Sequence, residues 1–256
     1  KSRSVEIGKT PQNLRSSPEV TLPSSFDMRD YGRVPPIRDQ DPWGTCWAFA
    51  AIGSLETGYI TQYPSSDVDL SEMHLAYFVY ADPRPGKSFG MPDDYDSILE
   101  QGGNADMSVA FLSRLGTVSE SVLPYSNSQP DRLPEDYKPS GIRLKSAYYL
   151  SDTDSIKHSI METGAVQISY YSVESAYYKS SQGTTFYDTS GGYSTNHAVL
   201  LVGWDDDFPR ENFRRNRRPQ SNGACLVRNS WGDDWGNNGY FWMLYFSSIF
   251  RDKPPA

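Results

Sequence analysis

From Cys46 onward the apolar positions Ala48, Ala51, Ile52, Leu55 and Tyr59 recur at spacings of three and four, the pattern of a helix that buries one stripe. Cys46 falls in its first turn. A second helix is expected from Ser71 to Tyr80 and a third from Asp106 to Leu115, with Asp106 capping its start and Gly116 closing its end. A fourth runs from Thr153 to Thr163 and stops at Gly164. Beyond that glycine the period changes. Val166 to Tyr170, Ala198 to Trp204, Ala224 to Asn229 and Tyr240 to Phe246 are rich in β-branched and aromatic residues and bounded by Gly or Asn, which predicts strands. Helices first and strands after predict an α+β protein in two lobes, a helical one over about 22–130 and a β-rich one over about 131–250. Residues 1–21 lack apolar periodicity and read as an N-terminal extension or the remnant of a pro-segment. Ala81 to Asp96 reads as a long surface loop, Asp205 to Asn222 as an exposed polar connection between strands, and 251–256 as a C-terminal linker remnant.

Composition narrows the picture by exclusion. A chain of 256 residues with 37% hydrophobic and 14% aromatic content can build a substantial core. Its net charge of -8 argues against nucleic acid as a partner, because phosphate binding needs clustered Lys and Arg. No stretch approaches the roughly 20 apolar residues of a membrane-spanning helix. Two cysteines cannot form a disulfide framework or a four-ligand zinc site, and the spacing of Asp205, Asp206 and Asp207 is not that of a calcium loop, so no metal or cofactor is expected.

The chemistry-bearing candidates are few. Of three histidines, His158 lies two positions from each of Ile156 and Ile160, turned from the apolar stripe, and His74 sits on a helix with no thiol or acid near it in sequence. His197 opens the uninterrupted apolar run Ala198 to Val202, placing an imidazole at the mouth of a core strand. A thiol attacks carbonyls well only as a thiolate, which a helix N-terminus and a nearby imidazole both favour. Cys46 and His197 are therefore the candidate nucleophile and base.

Several motifs then stand in one order: Leu22-Pro-Ser-Ser-Phe-Asp27-Met-Arg29, Gln40 through Phe49, Leu70-Ser71-Glu72, Gly102-Gly103, Asn196-His197-Ala198-Val199, and Asn229-Ser-Trp231-Gly with Trp235 and Gly239-Tyr240 after it. Over about Leu22 to Phe246 this order resembles the papain-like cysteine protease family. The resemblance implies a papain-like two-lobed fold, with a helical N-terminal lobe, an antiparallel β-barrel-like C-terminal lobe and the active-site cleft between them. It implies a thioester acyl-enzyme on Cys46, His197 as general base and acid in a thiolate–imidazolium pair, Asn229 accepting from the second ring N–H, and Trp231 shielding that bond. Gln40 would supply an oxyanion donor beside the Cys46 N–H, worth about 3 kcal/mol of barrier. Gly102 and Gly103 would line the groove for an extended peptide, and Ala105, Ser169, Thr195 and Ala198 would border an open specificity pocket.

Departures from the family pattern point to a divergent, bacterial branch: Trp43 and Glu100 stand where eukaryotic members pair two cysteines, and Asn196 stands where many have Asp, a change that bears on the pH profile. Cys225 reads as a small buried residue. The resemblance further implies a zymogen with its own propeptide, protein or peptide substrates, a monomer, and a secreted or cell-surface location. Two other readings use the same residues: a Cys–His amidase or transpeptidase, and an inactive protease-like binding module.

Overall fold

Helix α1 (Cys46–Gln62) stands between the two halves of the molecule, because its residues face both a helical layer and the main sheet. The structure is a computed structural model and describes residues 8–9, 21–80, 98–128, 130, 141–188 and 194–245. The predicted loop from Ala81 to Asp96, nearly all of residues 1–21, and 251–256 lie outside them.

On one side of α1 pack α2 (Glu72–Phe78) and α3 (Ala105–Arg114). Ser71 caps α2 by accepting from the His74 N–H, and Asn104 caps α3 by accepting from the Met107 N–H. The expected cap, Asp106, instead sits within the first turn of α3, where its charge still complements the helix N-terminus. On the other side lies the sheet. Strands β2 (Ser25–Asp27) and β4 (Val166–Tyr170) share one edge of the long β7 (His197–Asp205), and α4 (Thr153–Glu162) packs beside it. The path continues through β8 (Ala224–Arg228) and β9 (Tyr240–Leu244) to the hairpin of β5 (Tyr177–Ser180) and β6 (Gly183–Phe186). A short separate ladder joins β1 (Gly8–Lys9) to β3 (Tyr148–Tyr149).

The α+β, two-lobed expectation holds, with one correction. The sheet is neither closed nor wholly antiparallel: β6 and β9 run parallel, and β5 and β2 end the path without meeting. The β5–β6 hairpin also went unforeseen, since its Lys, Ser, Gly and Thr residues carry no strong strand pattern. The 205–222 connection is less exposed than expected. Phe208 and Phe213 turn inward onto Ala224 and Leu244 to form a small second core.

Two features lock α1 in place. Gly53, in the helix interior, would put a Cβ 2.5 Å from Leu200 Cδ1 and 2.9 Å from Arg228 Nη1, so its lack of a side chain lets these β7 and β8 side chains rest on the helix. Beside it, Arg38 binds three carboxylates at once: Glu56 on α1 at 2.9 Å, Glu72 on α2, and Asp69. Glu56 and Glu72 are fully buried, so this arginine stitches α1, α2 and the strand-like segment 38–40 into one unit.

Candidate active site

Cys46 is the first residue of α1, and its N-cap Thr45 makes no side-chain cap. The Thr45 hydroxyl is taken instead by Tyr125 at 2.5 Å, and the Tyr125 hydroxyl donates to the Gln40 carbonyl at 2.6 Å. The helix-start N–H groups are thereby left to the thiol. The backbone N–H groups of Ala198, the residue after His197, of Trp47 and of Cys46 itself lie near the sulfur and favour its thiolate. The α1 start and the β7 start, far apart in sequence, meet at this sulfur.

His197 opens β7 and is buried, and its Nε2 lies 2.8 Å from Asn229 Oδ1. An amide oxygen only accepts, so Nε2 carries the hydrogen and Nδ1 keeps the lone pair that can take a proton. Trp231 stacks on the ring at 4.6 Å between centroids, and Tyr170 meets it edge-on. Asn229 is itself fixed by its backbone N–H to the Gly239 carbonyl.

Burial works against either charge alone. It raises the Cys46 thiol, which the three N–H groups partly offset, and lowers His197 to about 4, which the Asn229 bond partly offsets. Each charge therefore needs the other beside it: the proton moves from sulfur to imidazole as a joint event that creates both charges side by side. The acid limb of kcat/KM should lie near pH 4. Asn229→Ala removes the contact that raises His197 and should move that limb to lower pH, while lowering kcat; a shift upward in a pH–rate profile would contradict this geometry.

The other buried imidazole, His74, lies between the Phe78 and Phe111 rings and is also lowered to about 4 by burial. Its sequence reading as a structural residue fits this place. The unfolded chain takes up these protons near 6.5 and the folded chain only near 4, so stability is full above 6.5 and lost as pH falls between them. Each histidine accounts for roughly 3 kcal/mol of that loss. His74→Phe should raise the denaturation midpoint at pH 4.5 relative to that at pH 7, compared with the unaltered chain.

Gln40 is held on both ends of its amide. Its Nε2 donates to the Trp43 carbonyl at 3.0 Å, and its Oε1 accepts from the Ser230 hydroxyl at 2.7 Å. One of the two Nε2 hydrogens is thus engaged, and the other is the one available to an oxyanion. Sequence reasoning singled out neither Ser230 nor Tyr125. Ser230 lies inside the Asn229–Trp231 motif, which was a signal; Tyr125 left none.

Gly103 faces the Trp47 indole so closely that a Cβ would lie 2.3 Å from it, leaving only backbone exposed at this ledge, and the Gly102 carbonyl accepts from the Tyr80 hydroxyl. Ser169 and Ala198 are cross-strand partners, with Thr195 exposed just before them. Ala105 lines a cavity of about 640 Å³ between α1, α3 and residues 142–150, which Cys46 does not line. Asn196 donates to the Ser172 carbonyl and accepts from its N–H, a pairing that an aspartate could not complete. Cys225 is a buried thiol in β8, raised by desolvation, and Trp43 uses its indole N–H on the Ser126 carbonyl. His158 is half-buried, 3.6 Å from Glu162.

The fold and this constellation define a class, and comparison with known proteins agrees. The model of the papain family cysteine protease matches residues 22–249, and the chain belongs to that family. It is 30% identical over 232 residues to the viral cathepsin of Heliothis zea nuclear polyhedrosis virus, covering 89% of this chain and 54% of that protein. It is likewise 30% identical over 238 residues to the oryzain gamma chain of Oryza sativa subsp. japonica, covering 90% and 58%. Among solved structures, the clostridial cysteine protease Cwp84 after propeptide cleavage superposes with a TM-score of 0.70 at 25% identity, covering 89% of this chain and 55% of that one. Procathepsin L2 from the Tenebrio molitor larval midgut gives a TM-score of 0.68 at 26% identity, with 94% and 70% coverage. The chain spans about half the length of the curated relatives it matches.

Proposed function

We propose that residues 22–250 are the catalytic domain of a cysteine protease that hydrolyses peptide bonds through a thioester on Cys46. The observation that carries this reading is the thiol at the start of α1 set near the start of β7, where His197 stands with its Nε2 fixed by Asn229. His197 Nδ1 takes the thiol proton as sulfur attacks the carbonyl carbon, returns it to the leaving amine, and then activates water to cleave the thioester. The Cys46 N–H and the second Gln40 amide hydrogen receive the developing oxyanion. Gly102 and Gly103 offer backbone groups to an extended substrate, with Ser169, Thr195 and Ala198 beyond them.

Residues 1–21 read as part of a pro-segment or an arm, in keeping with the propeptide-bearing relatives. A secreted or cell-surface location fits the description of Cwp84 as a surface layer associated protein of Clostridium difficile. The test is hydrolysis of a peptidyl aminomethylcoumarin amide under reducing conditions, with parallel labelling by iodoacetamide at pH 6. One label per chain at Cys46, with loss of hydrolysis in step, is the expected result. A chain that neither hydrolyses nor labels would overturn the reading in favour of a binding module.

A further inference from the structure

The second cavity, of about 380 Å³, is lined by Asp39, Gln40, Asp41, Pro42, Trp43 and Trp231. What marks it as a substrate site is its walls rather than its charge. Gln40 is the oxyanion group, and Trp231 lies flat on His197, the group that hands a proton to the departing amine. The leaving half of a bound peptide must therefore emerge on the Trp231 side. This inference rests on the protease reading above.

The cavity carries two carboxylates, both facing solvent. Asp39 and Asp41 are both exposed, and among the described residues no Lys, Arg or His lies within ion-pair distance of either. The adjacent Arg38 is committed to Glu56, Glu72 and Asp69. Asp233 and Asp234 add two more exposed carboxylates on the turn after Trp231. The backbone beneath is rigid. Asp39 and Trp231 form an antiparallel bridge, flanked by the Gln40 N–H on the Ser230 carbonyl and the Gly232 N–H on the Arg38 carbonyl. The Asp39 carboxylate is further held by the Asp41 N–H at 3.0 Å. Two indoles beside two fixed carboxylates make a receptor for a cation on a flexible apolar stem: the rings cover the methylenes and attract the charge, and the carboxylates pair with it.

We propose that this cavity is the leaving-side subsite and that it selects Lys or Arg at one of the first two residues beyond the scissile bond. Exposed pairs of this kind contribute modestly, so two of them, with repulsion of an acidic competitor, give about a tenfold preference for Lys over Glu in kcat/KM.

Peptides sharing one non-leaving half and carrying Lys, Arg, Gln or Glu at these two positions test the proposal. The basic peptides should be cleaved fastest, and the Lys-to-Glu ratio should fall to within about threefold in Asp39→Asn/Asp41→Asn and, for the unaltered chain, in high salt. A ratio near one in the unaltered chain, a ratio that survives the double substitution, or one indifferent to salt would each overturn it. The coumarin amide places no residue in this subsite, so its hydrolysis reports the protease reading separately. Hydrolysis of that amide without charge preference defeats this inference alone; absence of hydrolysis defeats the protease reading itself.

Discussion

Cys46→Ser and His197→Ala should each lower kcat/KM on a peptidyl coumarin amide by about 10⁴-fold or more, and the double variant should be no worse than either single one. The reasoning is the linked proton. Burial opposes an isolated charge on either group, so thiolate and imidazolium are each stabilised by the other, the two groups act as a unit, and removing one leaves the second with nothing to exchange. A serine hydroxyl at Cys46 keeps the shape but is far harder to deprotonate, so the His197 lone pair cannot activate it here. Residual turnover would come from substrate binding and the oxyanion donors. A double variant whose loss equals the product of the single losses would mean that the residues contribute independently, and the mechanism would have to be abandoned. Steady-state kinetics on the four proteins decides it.

The second large effect concerns stability. Arg38→Ala should cost about 3–5 kcal/mol in urea unfolding at neutral pH, because it strips the shared cation from the fully buried Glu56 and Glu72. Burial already pushes Glu72 upward, against the pull of Arg38. Without the arginine both carboxyls must rise further and stay protonated, whereas in the unfolded chain they ionise near 4.3. The folded variant then binds more protons than the unfolded one above that value, so its stability falls as pH rises, and the deficit should be smaller at pH 5 than at pH 8. A deficit that grows towards acid would show that the carboxyls are not the source.

Much of this molecule was legible in the sequence, and the gaps have physical causes. The helices from Cys46 and Thr153 and the strands from Val166 and Ala224 are found within a residue or a few of their expected limits, since each buries a continuous stripe or face and the apolar pattern records burial. The β5–β6 hairpin left no such record, as it holds its place by pairing, by the Tyr177 and Phe186 rings and by the buried Thr185 hydroxyl on the Asn212 carbonyl. Asp106 was mistaken for a cap because Asn104, two residues earlier, has the same chemistry and the better position. At the site, Cys46, His197 and Asn229 could be named because their motifs are local. The supports could not: Tyr125 reaches Gln40 across 85 residues, and Arg38 reaches Asp69 across 31.

Asn229 and Ser230 are neighbours on one turn after β8, the first steadying the imidazole and the second orienting the Gln40 amide. Proton handling and carbonyl polarisation are thus slaved to a single peptide unit. A small rotation there, as when an inhibitor wedges the lobes apart, would disable both together, so partially competent conformers should be scarce and the enzyme should behave as either on or off.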